Sequence, residues 1–513
     1  MVARTYRANL TAAEYPLLSD LQGRTIILAD IDQNYSRQAN SARDKDRDLG
    51  IPQVYYMHNV VPIDAGLTSV GYQQIQKSPT TVNADYTFGD MFYLRDITEN
   101  VVYLNNTASG KNYVFNPINT SWLKTTDKAP VAGGSVSIAH VNGQSYIYYA
   151  GVGCFKYNNY NNTLETVTIL GLDPTKIRGI CASNGYMIAW SATEVYWSST
   201  ISPVDFIPAL TTGSGGGGVQ LAKGAIVCCL PQNSGFIVYT KKNAVAANYT
   251  NNVQYPFSYK EIIGAGGLAA ANLVAYDGNS INHVAYTTYG LQSISMQVAT
   301  NILPAITDFI SGSQYEDLDE DTFQLTKISL NSPMAKKITI VSNRYLVISY
   351  GITTLTHAIF IDLTLQRWGK LRIPHVDCFE YVYPSSEVIE APKRSVGFVQ
   401  TDGSVQVLVQ GYNTDNTNGV LLLGKYQLTR NYYTDLQEIH LENVRADTIP
   451  KVEVLSTIDG TNAMRKQCRL VANNKNYRRY NVRAVGLNHT IAISGAFQVD
   501  SMVLKLDNDG EVR

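Results

Sequence analysis

Short hydrophobic runs, punctuated by Gly, Asn, Asp and Pro, dominate the chain from about residue 84 onwards. Within many of these runs hydrophobic and polar residues alternate, which is the period of a β-strand with one buried face. In VSIAHVNGQSYIYYAG, which begins at Val136, two runs flank Asn142-Gly143, a pair that suits a tight hairpin turn. The pattern predicts an all-β fold, and the best of a few short helix candidates lies around Asn301 to Ser311.

The strand-like runs gather into about seven clusters, which begin near Phe88, Val136, Arg178, Ala225, Leu273, Ile338 and Ser395. Hairpin turns inside the clusters are Asn142-Gly143, Asn184-Gly185, Asp277-Gly278 and Asp402-Gly403. Three or four strands that recur roughly every 35–50 residues are typical of a β-propeller, whose blades bury their faces against one another. We predict a β-propeller of six or seven blades. The alternative is a set of two or three unrelated β-sandwiches.

The pattern divides the chain into three predicted parts. Residues 1–83 are predicted to be an irregular N-terminal segment, because RQANSARDKDRD, from Arg37 to Asp48, alternates in charge and suits an exposed loop or short helix. Residues 84–430 are predicted to form the propeller, with an insertion at about 301–336. Residues 431–513 alternate strictly, which predicts an antiparallel β-sandwich-like module at the C-terminus.

Charge is sparse along the whole chain. Charged residues make up 16% of it and hydrophobic residues 45%, with a formal net charge of −1. Because exposed surfaces usually carry more charge than this, the shortfall predicts extensive contacts between subunits. The 35 Tyr agree, since one end of a tyrosine is apolar and the other forms hydrogen bonds. A net charge near zero excludes a general basic field that would recruit nucleic acid or anionic lipid.

The N-terminus, MVARTYRANLTAAEYPLLSD, lacks the apolar core of a signal peptide, and no run of about 18 apolar residues occurs. We therefore expect a soluble chain that has no membrane anchor and is made in a cytosol. The six cysteines form no CxxC pair and are Cys154, Cys181, Cys228, Cys229, Cys378 and Cys468. We expect them to be small buried residues with free thiols, as in a reducing compartment.

No motif in the sequence predicts an active site, a metal site or a cofactor. The acidic run from Tyr315 to Asp321 lacks the glycine and ligand spacing of a calcium loop, so a solvated loop is favoured. GSGGGG, from Gly213 to Gly218, lacks the Lys of a phosphate-binding loop and is interpreted as a flexible loop. None of the seven histidines falls at metal-ligand spacing. Glycoside hydrolysis by a pair of carboxylates stays an open alternative, because the two carboxylates of such a pair lie far apart in sequence. We expect a protein that is not an enzyme.

One charge feature stands out near the C-terminus. Between Gly460 and Val499 there are seven basic residues and no Asp or Glu. The seven are Arg465, Lys466, Arg469, Lys475, Arg478, Arg479 and Arg483. A locally basic surface would contact an acidic protein surface or DNA phosphates. The alternative is an ordinary solvated face that acidic neighbours balance in space.

Two stretches carry motifs that go beyond strand patterning. In the first, Arg178 to Pro208, a hairpin turn leads into an aromatic-rich strand ending at Trp190, followed by VYWS and PVDFIP. The Pro/Asp turn in PVDFIP would allow Phe206 to pack back onto its own blade. The second stretch is Arg483 to Phe497, with Gly486, His489, Ile491, Ile493 and Ser494-Gly495.

The first stretch is similar to a signature of the tail nozzle proteins of short-tailed phages, also called tail tubular protein B or packaged-DNA stabilisation protein. The second resembles the terminal β-module of that family. A further echo is NVVP from Asn59 together with Gly66-Leu67, although Val70-Gly71 stands where the family has Arg-Pro-Gly. The resemblance implies a propeller-bearing subunit of a homohexameric ring in the virion. That ring would lie beneath the head-to-tail adaptor and enclose the channel through which the genome leaves.

The resemblance also implies partners. They are other copies of the chain, the adaptor protein, tail fibre or spike proteins, and double-stranded DNA that passes without sequence-specific contacts. Within such a ring the basic segment would line the channel or face a neighbouring protein. We favour the protein-facing role, because each phosphate contact strengthens binding and basic residues on the lumen would slow a moving genome.

Two other functions compete with this one. A propeller rich in Tyr and Trp could bind or cleave glycans at a phage tail, and a non-viral scaffold propeller would be a monomer. A glycan site would need aromatic rings in an open groove. We predict instead that Trp190 and Trp197 pack in blade interiors, because burying a ring of this size stabilises the fold by roughly 2–3 kcal/mol.

Overall fold

In the computed structural model of the chain, the regular elements of the described residues are β-strands, apart from one 3-10 turn at Ala271–Leu273. The structure describes residues 4–9, 26–27, 54–63, 66–76, 89–95, 100–106, 112–116, 121–131, 134–158, 160–276, 282–303, 314–318, 325–329, 335–341, 344–351, 355–363, 367–382, 394–400, 404–410, 419–427, 432–442, 450–457, 465–470, 479–486, 488–499 and 501–511. The predicted helix around Asn301 to Ser311 lies largely outside these residues, as do the turns at Asp277-Gly278 and Asp402-Gly403.

Five strands lie in the N-terminal part of the chain. They are β1 (Arg4–Asn9), β2 (Ile26–Ile27), β3 (Val54–His58), β4 (Val60–Ile63) and β5 (Gly66–Gln76). All five pair with strands from later parts of the chain.

Five four-stranded antiparallel sheets follow, and each is a meander whose strands pair in chain order. Blade 1 consists of β6 (Gly89–Arg95), β7 (Asn100–Asn106), β8 (Asn112–Asn116) and β9 (Ser121–Lys124). Blade 2 consists of β10 (Val136–Val141), β11 (Gln144–Tyr149), β12 (Gly153–Asn158) and β13 (Thr163–Val167). Blade 3 consists of β14 (Gly179–Ser183), β15 (Tyr186–Trp190), β16 (Glu194–Trp197) and β17 (Gly215–Gly218).

Blade 4 consists of β18 (Ile226–Gln232), β19 (Gly235–Thr240), β20 (Ala244–Tyr249) and β21 (Phe257–Glu261). Blade 5 consists of β22 (Val274–Ala275), β23 (His283–Thr287), β24 (Gly290–Ile294) and β25 (Ala299–Asn301). A separate two-stranded hairpin, β26 (Gln314–Leu318) with β27 (Leu325–Ser329), lies between blades 5 and 6 in the chain, within the predicted insertion.

The last two blades belong to one ten-stranded sheet. Blade 6 consists of β28 (Ala335–Val341), β29 (Tyr345–Gly351), β30 (Leu355–Asp362) and β31 (Arg367–His375). Blade 7 consists of β32 (Asp377–Val382), β33 (Arg394–Val399), β34 (Val405–Gln410) and the N-terminal strand β5. The hairpin of β4 and β5 connects the outer edges of these two blades, because β4 pairs with β31 and β5 pairs with β34.

The blades form a closed ring of seven. Contacts between first strands join blade 1 to 2, 2 to 3, 3 to 4, 5 to 6, 6 to 7, and 7 back to 1. Blades 4 and 5 are joined by backbone hydrogen bonds, one of which runs 2.9 Å from the amide of Leu268 to the carbonyl of Thr240. The arrangement confirms the predicted all-β propeller and fixes the number of blades at seven.

Two hairpin turns have the backbone that their sequences predict. Asn142 and Gly143 have φ angles of 51° and 76°, and Asn184 and Gly185 have φ angles of 51° and 83°. A two-residue hairpin of this type needs positive φ at both positions, which Asn and Gly adopt most easily.

The C-terminal part of the chain forms two sheets that share a hydrophobic core. Its strands are β35 (Gly419–Gln427), β36 (Tyr432–Glu442), β37 (Lys451–Thr457), β38 (Arg465–Leu470), β39 (Arg479–Gly486), β40 (Asn488–Gly495) and β42 (Ser501–Glu511). The short strand β41 (Gln498–Val499) pairs with β5 of the ten-stranded sheet instead. One sheet has the order β1-β42-β36-β39, and the other has the order β2-β35-β40-β37-β38, with β3 also paired to β35. Leu421, Ile439 and Val454 lie in the core, so the predicted sandwich-like module is confirmed.

The boundaries of the predicted parts need correction. The described strands of residues 1–83 are not irregular, because β1, β2 and β3 belong to the C-terminal sheets while β4 and β5 complete the propeller. β35, predicted within the propeller at 84–430, belongs to the C-terminal module. Both errors have one physical cause: these strands pair with partners hundreds of residues away, and a local pattern does not specify a distant partner.

Phe206 packs at the junction between blades 2 and 3. Its side chain is 2% exposed and packs with Tyr148 of blade 2 and with Ile180 and Met187 of blade 3. Its backbone amide donates a 2.9 Å hydrogen bond to the carbonyl of Leu170. The residue therefore packs back onto its own blade, as the Pro/Asp turn predicts, and also contacts the preceding blade.

We expect Phe206→Ala to lower the free energy of unfolding by about 3–5 kcal/mol, because it leaves a cavity at the seam. Ile207→Ala is the matched control, since the side chain of Ile207 is 52% exposed and its truncation should change stability by less than about 0.5 kcal/mol. Urea unfolding followed by tryptophan fluorescence measures both. Equal losses in the two variants would contradict the assigned role of Phe206.

Gly369 allows β31 to approach β4 closely. A β-carbon at this position would lie 2.2 Å from the carbonyl oxygen of Val60, so any larger residue must push the strands apart. We expect Gly369→Ala to destabilise the protein by about 1–3 kcal/mol, as overpacking does. Gly217→Ala is the control, because a β-carbon there meets no atom within 4 Å. If both variants unfold at the wild-type urea concentration, β31 and β4 do not approach as described.

Candidate functional site

The basic segment lies on two strands of the C-terminal module. Arg465, Lys466 and Arg469 lie on β38, whereas Arg479 and Arg483 lie on β39. Lys475 and Arg478 lie outside the described residues. The fold thus brings five of the seven predicted basic residues onto two strands.

These two strands are neighbours at the edge of the sandwich. β38 ends one sheet, β39 ends the other, and the two strands are in contact. An edge strand has backbone N–H and C=O groups that another strand could pair with, and charged residues on an edge oppose such pairing. The basic residues therefore suit two roles, protection of the edge or recognition of an acidic partner.

Acidic residues lie close to this edge within the module itself. Glu453 on β37 is buried, and its Oε2 lies 3.1 Å from Nζ of Lys451. In the backbone register Glu453 stands opposite Arg469. Glu453 therefore places one carboxylate on the strand next to β38, where it pairs with Lys451, a residue outside the basic segment.

The two tryptophans of blade 3 serve the packing of the blade. Trp190 is buried, and its ring covers Gly179, where a β-carbon would lie 2.4 Å from the ring. Trp197 is partly buried, donates a 2.7 Å hydrogen bond from Nε1 to the carbonyl of Gly213, and meets the ring of Phe257 edge-on. These positions agree with the prediction that both rings pack in blade interiors.

The glycine-rich run is a strand, so its interpretation as a flexible loop is wrong. Gly215–Gly218 forms β17, the outer strand of blade 3, and pairs with β16. The aromatic rings of β16 cover it: a β-carbon on Gly216 would lie 2.4 Å from the ring of Tyr196. Gly215 and Gly216 leave room for these rings, a close approach that strand glycines commonly permit.

Five cysteines are buried and form no disulfide: Cys154, Cys181, Cys228, Cys229 and Cys378. Burial raises the pKa of the Cys154 thiol and of the Cys228 thiol to about 12, so both stay protonated and unreactive at neutral pH. This agrees with the expected small buried residues. Cys468 lies on β38.

Metal ligands do not gather in the described residues, where no group of three His, Cys, Asp or Glu side chains could hold an ion. The acidic run that begins at Tyr315 overlaps β26, and its last residues lie outside the described part of the chain. Among the described residues no helix is long and apolar enough to cross a membrane.

Sequence reasoning missed one group of residues, a buried cluster of histidines beside the hairpin of β4 and β5. His58 comes from β3, His357 from β30 and His375 from β31. All three side chains are buried. No spacing signal could have found them, because their strands meet only in the folded sheet.

Comparison with known proteins gives no family for the chain. No protein-family model matches it, and no curated protein does. Among solved structures, "Dihydro-heme d1 dehydrogenase NirN in complex with DHE" matches 69% of this chain and 66% of its own, at 10% identity and a TM-score of 0.30. "Crystal Structure of Mitotic Checkpoint Complex" matches 65% of this chain and 98% of its own, at 10% identity and a TM-score of 0.32. Scores this low add nothing to the architecture deduced from the sheets.

If the basic edge faces protein rather than DNA, we expect Arg465→Gln with Arg469→Gln to leave duplex binding almost unchanged. Loss of two phosphate contacts would reduce the slope of log affinity against log salt by about 1.8, whereas we expect a reduction below about 0.9. Fluorescence anisotropy with a labelled duplex at several salt concentrations measures the slope. Lys241→Gln with Lys242→Gln, two exposed lysines on blade 4, is the control. A reduction near 1.8 in the first pair alone would assign the edge to DNA.

Proposed function

We propose that the chain is a structural subunit of a phage short-tail nozzle. Copies of the chain assemble into a homohexameric ring beneath the head-to-tail adaptor. The ring encloses the channel for double-stranded DNA, retains the packaged genome and releases it at ejection. The chain performs no catalysis in this role.

The observation that carries the proposal is an uncharged, apolar rim on blades 3 and 4. Ile201, Leu210 and Tyr255 are 79%, 71% and 70% exposed. The loops that carry them are almost without charge: residues 198–222 contain one charged side chain, Asp205, and residues 243–258 contain none. Contacts between subunits favour such surfaces, because the buried centre of an interface is depleted in charged residues.

The architecture also supports the proposal. A propeller followed by a C-terminal β-module is the layout that the resemblance to tail nozzle proteins implies. The PVDFIP motif, on which the resemblance partly rests, has a structural role here, since Phe206 packs between blade 2 and blade 3. A monomeric scaffold would have no use for the apolar rim.

In the proposed ring, the apolar rim and the basic edge face different partners. In a closed ring each subunit presents two different patches to its neighbours, and the rim of blades 3 and 4 is one of them. The basic edge of β38 and β39 faces an acidic surface of the adjacent subunit, the adaptor or a tail fibre. The DNA passes through a channel with little net charge, so few phosphate contacts hold it back.

We expect the purified protein to form particles of six 56.5-kDa chains, which mass photometry at nanomolar to micromolar concentration would detect. Ile201→Asp with Leu210→Asp should shift the particles towards monomer, because a closed interface would bury two unpaired charges. Tyr289→Asp is the control, since Tyr289 is 62% exposed in the turn between the second and third strands of blade 5, at the opposite strand ends from the loops of this rim. A wild-type protein that stays monomeric at all concentrations would refute the ring.

A further inference from the structure

The seam between blade 6 and the N-terminal strands is the narrowest join of the ten-stranded sheet. β31 and β4 are paired through one pair of residues, Lys370 and Val60. By contrast, β5 is paired with β34 over six residue pairs. Asn59 supplements the seam, since its side-chain Oδ1 accepts hydrogen bonds from the amide of Arg372 at 2.9 Å and from the hydroxyl of Tyr72 at 3.2 Å.

Buried basic side chains surround this seam. His58, His357, His375 and Lys370 are each less than a tenth exposed. Arg372 stands opposite His357 in the register of β30 and β31. A positive charge on His357 would be buried close to the charges of Lys370 and Arg372, which carries a large electrostatic penalty.

His357 is the centre of the cluster. Its ring stacks on that of Tyr350 from β29, with centroids 5.5 Å apart and planes 20° apart, and Nδ1 lies 2.9 Å from the hydroxyl of Thr356. The groups that act on it electrostatically are basic: Lys370, Arg372 and His375 from β31, and His58 from β3.

His375 is held by hydrogen bonds at both ring nitrogens. Its Nδ1 donates to the carbonyl of Ile373 at 2.7 Å, and its Nε2 lies 2.7 Å from the hydroxyl of Ser349. Because a hydroxyl can donate or accept, this second bond forms with either protonation state of the ring. The response of the seam to pH is therefore assigned to His357 and its basic neighbours.

We propose that this seam is an acid-sensitive latch: protonation within the histidine cluster releases β4 from blade 6 while the remaining blades stay closed. The latch would be a conformational switch within the propeller, and it does not depend on the proposed function.

The direction of the pH effect follows from His357. Burial, followed by the charges of Lys370 and Arg372, lowers the pKa of His357 from 6.5 to about 3. When the seam is open, His357 binds a proton near pH 6.5, whereas in the closed seam it stays neutral down to about pH 3. Opening therefore becomes easier as the pH falls from 6.5 towards 3. Between pH 8 and pH 5 the equilibrium constant for opening should rise about 30-fold from this group alone.

Hydrogen exchange measured by mass spectrometry tests the latch on the full-length protein. After correction for intrinsic exchange rates, the amides of residues 58–63 and 367–375 that face the seam, such as that of Arg372, should exchange about 30-fold faster at pH 5 than at pH 8. Amides of blades 2 and 3 should keep their protection, and the far-ultraviolet circular dichroism should not change. A uniform loss of protection across all blades would overturn the proposal, because it would indicate global unfolding.

Two variants tie the effect to the cluster. His357→Phe keeps a flat ring beside Tyr350 but takes up no proton, so the acid-induced exchange at residues 58–63 should fall to a few-fold. His357→Gln, which retains a polar group near Thr356, serves the same purpose if the first variant does not fold. His140→Phe is the control, because His140 is exposed on blade 2 and should leave the pH response intact.

A second buried histidine makes this comparison necessary. His283 lies between blades 4 and 5, where Nδ1 lies 2.9 Å from the hydroxyl of Tyr239 and burial lowers its pKa to about 4. The His357 variants should leave the pH response of residues 283–287 unchanged. If both His357 variants fold and keep the full acid response at residues 58–63, the latch is wrong.

Discussion

The closure of the propeller by a strand from the opposite end of the chain is the constraint on which the rest of the structure depends. Blade 7 takes its outer strand, β5, from the N-terminal part of the sequence, and β4 holds the same hairpin against blade 6. A ring of blades leaves no long exposed edge only when its last sheet is complete. The N-terminal strands are therefore a structural requirement of the propeller.

The same strand couples the propeller to the C-terminal module. The hydroxyl of Ser69 on β5 donates to the carbonyl of Phe497 at 3.1 Å and accepts from its amide at 2.7 Å, and both residues are buried from solvent. Residues Leu67 and Thr68 pair with β41. A single hydrophobic core then runs from Ile348 of blade 6 to Ile493 of the sandwich. The propeller and the C-terminal module are joined because β5, which completes the ring of blades, also pairs with β41 and shares this core.

The seams between blades use different chemistry around the ring. Between blades 2 and 3 an apolar plug, Phe206, fills the gap. Between blades 4 and 5 a buried Tyr239 hydroxyl contacts the ring of His283. At blade 6 the seam combines imidazoles with Lys370. Apolar seams are insensitive to pH, whereas seams built from neutral histidines weaken when a proton becomes available. The junctions between blades should therefore differ in their sensitivity to pH.

The sequence by itself determined the local features of this protein. Alternation predicted strands, Asn-Gly pairs predicted the turns at Asn142 and Asn184, and the Pro/Asp turn predicted the packing of Phe206, because each feature depends on residues close together in the chain. The number of repeats predicted a propeller for the same reason.

Tertiary structure alone decided which strands share a sheet. Ser69 and Phe497 are 428 positions apart, and no periodicity records such a pairing. β35 is buried throughout the run from Val420 to Leu423, so it lacks the alternation that would mark its sheet. The glycines of β17 form a strand because they pair with β16, where Gly215 and Gly216 leave room for aromatic rings. The histidine cluster likewise exists only where β3 meets the consecutive strands β30 and β31, which lie far from it in the chain. Local chemistry specified the strands, and long-range packing specified their partners.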